Sequence, residues 1–161
     1  MKRITTLSFF MLFCWITAFA IPRAEYPRPQ FERNAWINRN GEWTYSFDFG
    51  GSGLEREWFK STGFDQKIIV PFCPESKLSG VEYKDFINHM WYHRTISIPQ
   101  DWSNKQVLLN FGAVYYKSEI YIDGVFAARH FGGTSSFQVD ITPYVKAGQT
   151  HNLVVYVESD V

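Results

Sequence analysis

Cysteine is nearly absent from this sequence. Of 161 residues only Cys14 and Cys73 carry a thiol, and Cys14 lies in the apolar run LSFFMLFCWITAFA, which follows Lys2 and Arg3 and ends at Ala18 and Ala20. A short basic segment, an apolar stretch and an A-x-A site together read as a secretory signal peptide over residues 1–20, cleaved after Ala20. The run is shorter than the roughly 20 residues a membrane span requires, and Leu12 and Phe13 are too large to precede a lipidated cysteine. The mature chain is therefore expected to be exported, periplasmic or extracellular, with no membrane segment. Cleavage leaves Cys73 alone, which excludes the intramolecular disulfide that export would allow. Beside Phe72 and Pro74, Cys73 reads as a small buried hydrophobe rather than a nucleophile.

Net charge is missing as well. Lys plus Arg and Asp plus Glu each number 16, so no field exists to draw nucleic acid or an anionic membrane surface. Several motifs are also lacking: there is no Gly-x-Ser-x-Gly elbow, no phosphate-binding glycine loop and no Cys-x-x-Cys. Nucleophilic hydrolase and nucleotide-binding chemistry have no anchor, and no cofactor is expected. His89 and His93 invite a metal reading, but four residues of strand span about 13 Å, too far for one ion to be shared, so no metal site is expected. Sixteen carboxylates could contain the pair that glycoside hydrolysis needs, yet spacing does not identify two that face each other across a sugar.

What is abundant is aromatic side chains, 19% of the chain. They can build a β-sandwich core or stack on sugar rings. Removing residues 1–20 of 161 leaves 141, enough for one domain with one sizeable core. Residues 21–35, with three prolines and no alternation, read as an extended lead-in to a domain over residues 36–161. After the turn residues Asn38 to Gly41, Trp43, Tyr45, Phe47 and Phe49 alternate with Thr44, Ser46 and Asp48, the pattern of a strand with one wet face. Gly50 to Gly53 end it, and the stretch around Trp58 and Phe59 fits a short helix or a loop equally. Lys67 to Val70 read as a short strand stopped by Pro71. The following PFCPESKLSG is an irregular loop, either functional or a plain crossover.

Trp91 to Ile98 form the next strand. Val107, Leu109 and Phe111 face inward. Ser118 to Ile122 and Val125 to Ala128 flank Asp123-Gly124, the chemistry of a two-residue hairpin turn. Gly132-Gly133 make a corner. Phe137, Val139 and Ile141 share a face, which turns Gln138 and Asp140 the other way. Thr142-Pro143 starts a helical turn that finishes near Gly148, and Leu153 to Val157, apolar on both faces, read as a central strand. About eight short strands without a long amphipathic helix predict an all-β chain: an antiparallel β-sandwich, most simply a jelly roll, with an immunoglobulin-like sandwich as the alternative.

The run MWYHRTISIPQDWSNKQVLLNFGAV, the EIYIDG hairpin, RHFGG and SSFQVDITPYVKAG, in this order, resemble the N-terminal sugar-binding domain of glycoside hydrolase family 2, which includes β-galactosidases, β-glucuronidases and β-mannosidases. The resemblance covers Trp36 to Val161. It implies a galactose-binding-domain-like jelly roll ahead of an immunoglobulin-like domain and a catalytic (β/α)8 barrel that carries both catalytic glutamates and lies outside this chain. On that reading this chain holds no catalytic residue and is truncated before those domains. Its partners are a β-linked glycoside and the barrel.

The resemblance also implies that Asp140, in FQVDIT, reaches into the barrel's sugar pocket, and that His130, with Gly132 and Gly133, forms the corner beside it. From the residues alone, Asp140 equally fits a cap on the following turn, and His130 a structural place. The sequence departs from the family in three places. Thr134, Ser135 and Ser136 stand where Tyr-Thr-Pro is usual, Tyr115 stands where Asp is usual, and Asp123 stands where Asn is common. The last preserves the turn, and the other two leave the sugar open. A free-standing carbohydrate-binding module and an inactive structural fragment are the alternatives on the same fold.

Overall fold

The computed structural model describes residues 21–26 and 33–159. The signal peptide expected at 1–20 lies outside the described residues, as does part of the lead-in. What is described of that lead-in is tied to the domain rather than merely leading to it. The carbonyls of Arg23 and Pro22 accept hydrogen bonds from the Asn38 and Asn40 amides at 2.8 and 3.0 Å, and Tyr26 meets Trp36 edge to face at 4.8 Å.

Eight strands are described: β1 (Gly41–Phe47), β2 (Gln66–Val70), β3 (His89–Ser97), β4 (Leu108–Phe111), β5 (Lys117–Ile122), β6 (Val125–Phe131), β7 (Phe137–Asp140) and β8 (Thr150–Glu158). Six form one sheet in the order β2-β1-β3-β8-β5-β6, β4 pairs with β7 in a second, and every pairing is antiparallel. The expected all-β antiparallel sandwich is therefore present, with two very unequal layers. Only 3-10 turns interrupt it, at Trp58–Lys60, Lys77–Ser79, Gln100–Trp102 and Thr142–Tyr144.

Alternation explains the core. Trp43, Tyr45, Ile96, Ile120, Ile122, Leu153 and Val155 from the large sheet meet Val107, Val139 and Ile141 from the small-sheet side. Leu153 to Val157 form a central strand, as expected, because β8 lies between β3 and β5 and both of its faces are covered. Its other face belongs to a second cluster, Trp91, Tyr121, Val154 and Tyr156, capped by Trp58, Phe59 and Phe64. The segment after β1 thus crosses the outer face of the sheet and turns what would be a wet surface into a second small core.

Three expectations need correction. Asp48 does not lie on a wet face but is buried, its Oδ1 accepting from the Ser52 N–H at 3.0 Å and its Oδ2 from the Gly53 N–H at 2.8 Å and the Trp91 indole at 3.1 Å. Phe49 is not on the core face; β1 ends at Phe47 and the chain turns at Asp48, which leaves the ring 62% exposed. Cys73 is exposed on the loop after β2, not buried. A prolyl-flanked irregular loop offers no alternating face on which to bury a thiol.

Candidate functional site

Asp140 ends β7, opposite Leu108, and its side chain points away from the core as alternation predicts. Its Oδ1 accepts hydrogen bonds from the Thr142 N–H at 2.9 Å and the Thr142 hydroxyl at 2.5 Å, and its Oδ2 accepts from the Gln106 amide at 2.8 Å. The Thr142 hydroxyl oxygen in turn accepts from the Val107 N–H at 2.9 Å. This short relay joins the start of β4 to the turn after β7, so the capping role is present in the geometry. The Thr142 hydroxyl first, then the Gln106 amide, hold the Asp140 carboxyl below its ordinary value by stabilising its charged form.

The carboxylate also lies on the margin of a groove of about 620 Å³ between the Gln100–Trp102 turn and the Thr142–Tyr144 turn. Trp102, Lys105, Gln106 and Lys146 line it with Asp140. Next to it, Gly148 lets the lining residue Gln100 approach closely: its φ of +77° is left-handed, and a Cβ there would meet the Gln100 Oε1 at 2.0 Å. The groove offers an indole face, two ammonium groups, amides and one carboxylate, an assortment able to hold a hydroxylated, negatively charged small molecule.

His130, on β6, lies elsewhere. Its ring stacks on Phe137 at 3.9 Å and 13°, and Phe137 stacks on Phe111 at 4.8 Å and 14°. The His130 Nε2 is buried and finds no hydrogen-bond partner among the described residues. The glycine corner beside it is built by close approach. The Gly132 N–H donates to the Tyr116 carbonyl at 3.0 Å, and a Cβ on Gly133 would fall 2.2 Å from Tyr115 Cδ2. Tyr115, where the family usually has Asp, therefore lies against Gly133 with 59% of its surface exposed.

These two candidate residues are not brought together. Phe137 and Asp140 stand at opposite ends of β7, about 10 Å apart by strand rise, and His130 lies over the Phe137 end. They mark two points along one edge of the sandwich rather than one pocket.

His89 and His93 lie on β3, each with its own partner. The His89 Nδ1 shares a hydrogen bond with the Tyr156 hydroxyl at 2.8 Å, and the His93 Nε2 shares one with Asn152 Oδ1 at 3.0 Å. Sequence reading did not single out the buried Glu119, whose Oε2 accepts from the Tyr121 hydroxyl at 2.6 Å and whose Oε1 accepts from Arg129 Nε at 2.9 Å. Glu119 and Tyr121 share a face of β5, and Arg129 stands opposite Glu119 on β6. Period two puts Glu119 and Tyr121 on one face, but a register shift between Ile120 and Tyr121 is what brings Arg129 rather than Ala128 opposite Glu119, and the sequence does not announce that bulge. Trp102, Gln106 and Lys146 carried no such signal, because they sit on turns and loops far apart in sequence.

Comparison with known proteins adds a family. The model of the "Glycosyl hydrolases family 2, sugar binding domain" matches residues 37–159. The beta-glucuronidase of Felis catus is 29% identical over 135 residues, covering 76% of this chain and 20% of the relative. That of Paenibacillus borealis is 26% identical over 121 residues, covering 74% and 20%. Among solved structures, a Ruminococcus gnavus β-glucuronidase in complex with a C6-substituted uronic isofagomine superimposes with a TM-score of 0.68 at 25% identity, over 75% of this chain and 21% of that one. Lactobacillus rhamnosus β-glucuronidase gives 0.67 at 26% identity, over 76% and 21%. The chain thus spans about a fifth of the length of the relatives it matches. A match over most of the chain, on an antiparallel sandwich of the expected kind, shows that this chain belongs to glycosyl hydrolase family 2, through the family's sugar-binding domain.

Proposed function

We propose that this chain is the non-catalytic N-terminal sugar-binding and scaffold domain of an exported, retaining β-glycosidase. One observation carries the reading: the family's sugar-binding domain matches residues 37–159, while this chain covers only about a fifth of the β-glucuronidases it resembles. In glycoside hydrolases of the retaining type two carboxyl groups about 5 Å apart act as acid/base and nucleophile, and the resemblance assigns both to a barrel outside this chain. Asp140 and His130 then serve as points on the domain edge that meet the barrel's sugar pocket. The charge of the groove beside Asp140 favours a β-glucuronide over a galactoside or mannoside, since Lys105 and Lys146 can face a sugar carboxylate.

Sequencing the gene beyond codon 161 and assaying the enzyme it encodes tests this directly. The expected finding is a (β/α)8 barrel with two glutamates. In that full-length enzyme Asp140→Ala and His130→Ala should raise KM for a β-glucuronide while the melting temperature of the catalytic domain stays put. If no barrel follows, the enzymatic role fails and a free-standing carbohydrate-binding module takes its place. An inactive structural fragment shares that outcome but shows no sugar binding.

A further inference from the structure

The open end of β1 holds chemistry that the Asp140 edge does not use. β2 begins at Gln66, paired with Tyr45, so Ser46 and Phe47 run past its end. A cavity of about 510 Å³ opens there against the segment that crosses the outer face, within the roughly 300–1,000 Å³ usual for small-ligand sites. Phe49 forms one wall. It is 62% exposed, yet it is braced by Phe47 at 5.3 Å and Tyr83 at 5.9 Å. Trp58 and Phe64, 6.0 Å apart, form the other wall, and Trp58 rests edge-on against the buried Trp91 at 6.1 Å.

The loop between these walls is held in place, because the buried Asp48 carboxylate grips its Ser52 and Gly53 N–H groups at 3.0 and 2.8 Å. Ser61, Asp65 and Gln66 add polar groups to the lining. The Asp65 and Gln66 side chains are exposed and unpaired among the described residues, and no Lys, Arg or His lines the cavity.

We propose that this notch binds a neutral pyranose unit of an oligosaccharide, at a site separate from the Asp140 edge. The C–H face of a pyranose ring lies flat on an aromatic ring, while its equatorial hydroxyls point outward. There the Asp65 carboxylate accepts hydrogen bonds and the Gln66 amide both gives and accepts them. A uronic acid is disfavoured, because its carboxylate would face Asp65 across the notch, and the nearby Arg56 guanidinium is engaged 5.7 Å over the Trp58 ring rather than among the lining residues. The two grooves therefore select sugars of opposite charge character: Lys105 and Lys146 beside Asp140, and a lone carboxylate here.

The test is amide chemical-shift mapping of the full chain during titration with neutral cello-, xylo- and galacto-oligosaccharides, with glucuronic acid as the charged control. At least one neutral series should shift the amides of Phe49, Trp58 and Gln66 saturably at millimolar concentrations, and glucuronic acid should leave them in place. Phe49→Ala should weaken binding about tenfold while the chain stays folded, with only a small fall in melting temperature from the lost contacts to Phe47 and Tyr83, and Phe49→Trp should restore binding. Asp65→Ala should weaken it as well. Three outcomes overturn the proposal: no neutral oligosaccharide moves these amides, binding survives both alanine variants, or glucuronic acid moves them equally. Shifts confined to Gly132 through Asp140 overturn it too, while leaving the edge reading standing.

Discussion

Asp48, Asp123 and Asp140 each accept a backbone N–H and also tie their segment to another, through the Trp91 indole, the Asn152 N–H and the Gln106 amide respectively. Asp48 is the most buried of the three, and Asp48→Ala leaves the Gly53 N–H and the Trp91 indole without an acceptor. At about 1–3 kcal/mol for each buried donor left unpaired, equilibrium urea unfolding should show a loss of several kcal/mol. Asp123 accepts from the Asn152 N–H at 2.7 Å and from His151 Nδ1 at 2.6 Å. His151 Nε2 accepts from the Lys146 N–H at 3.0 Å, which leaves Nδ1 to donate to the Asp123 carboxylate.

Partial burial works against the charged Asp123, but the Asn152 and His151 hydrogen bonds outweigh it and hold the carboxyl below its ordinary value of 3.8. Glu158 is likewise lowered, chiefly by its hydrogen bond from Lys117, and Asp140 by Thr142. A carboxyl lowered on folding stabilises the fold fully above its unfolded pKa and loses that contribution as pH falls through the folded value. The melting temperature should therefore hold from pH 7 to about 5 and decline below about 4. The double variant Asp123→Asn, Asp140→Asn should decline less steeply in the same scan, and an equally steep fall would show that other groups govern the acid limb.

Among the elements, the β5-β6 hairpin and the loop after β1 depend most on single residues. Asp123 and Gly124 hold φ of 49° and 79°, the pair of positive values that a two-residue turn matched to strand twist requires. At Gly53 the constraint is space rather than backbone: a Cβ would lie 2.4 Å from the Trp91 indole nitrogen and 2.7 Å from Asp48 Oδ2. Neither neighbour can retreat, since one is core and the other is bonded to the loop itself. Gly53→Ala should cost about 1–3 kcal/mol, as overpacking does. In denaturant titration this should appear as a lower midpoint with an unchanged slope. Gly50→Ala, where a Cβ would meet nothing within 4 Å, is the matched control and should leave the midpoint in place.

At the scale of the molecule, the layers do not match in size. Two strands cover part of a six-stranded sheet, and the 3-10 turns and loops cover the rest. On the opposite face the segment carrying Trp58, Phe59 and Phe64 covers a second patch. Val125, Phe126 and Phe131 on the edge strand β6 remain 55%, 46% and 56% exposed. Alone, the chain should release no p-nitrophenol from p-nitrophenyl β-glucuronide, β-galactoside or β-mannoside above the buffer rate, and turnover proportional to chain concentration would contradict the assignment of catalysis to a separate barrel. The proposed export predicts that the chain, expressed from Met1 in an exporting host, reaches the medium or periplasm with Ile21 as its first residue, which intact-mass measurement reads directly; recovery of uncleaved chain from the cytoplasm would overturn it.

Period-two alternation fixed most of the strands and the inward face of Val139 and Ile141, because strand geometry sends successive side chains to opposite faces whatever the rest of the chain does. The Asp123-Gly124 turn was equally legible, since few residue pairs tolerate two positive φ angles. The fate of each outward residue was not legible. Whether Asp48 meets water or the Trp91 indole, and whether Phe49 is inside or out, depends on the chain turning out of β1 at Asp48, and the exposure of Cys73 on the path of an irregular loop; alternation carries no information about either. The candidate sites divide the same way. Asp140 was found because it ends a readable strand. The groove of Trp102 and Lys146, and the notch of Phe49, Trp58 and Asp65, exist only because loops far apart in sequence close on the same edges of the sandwich.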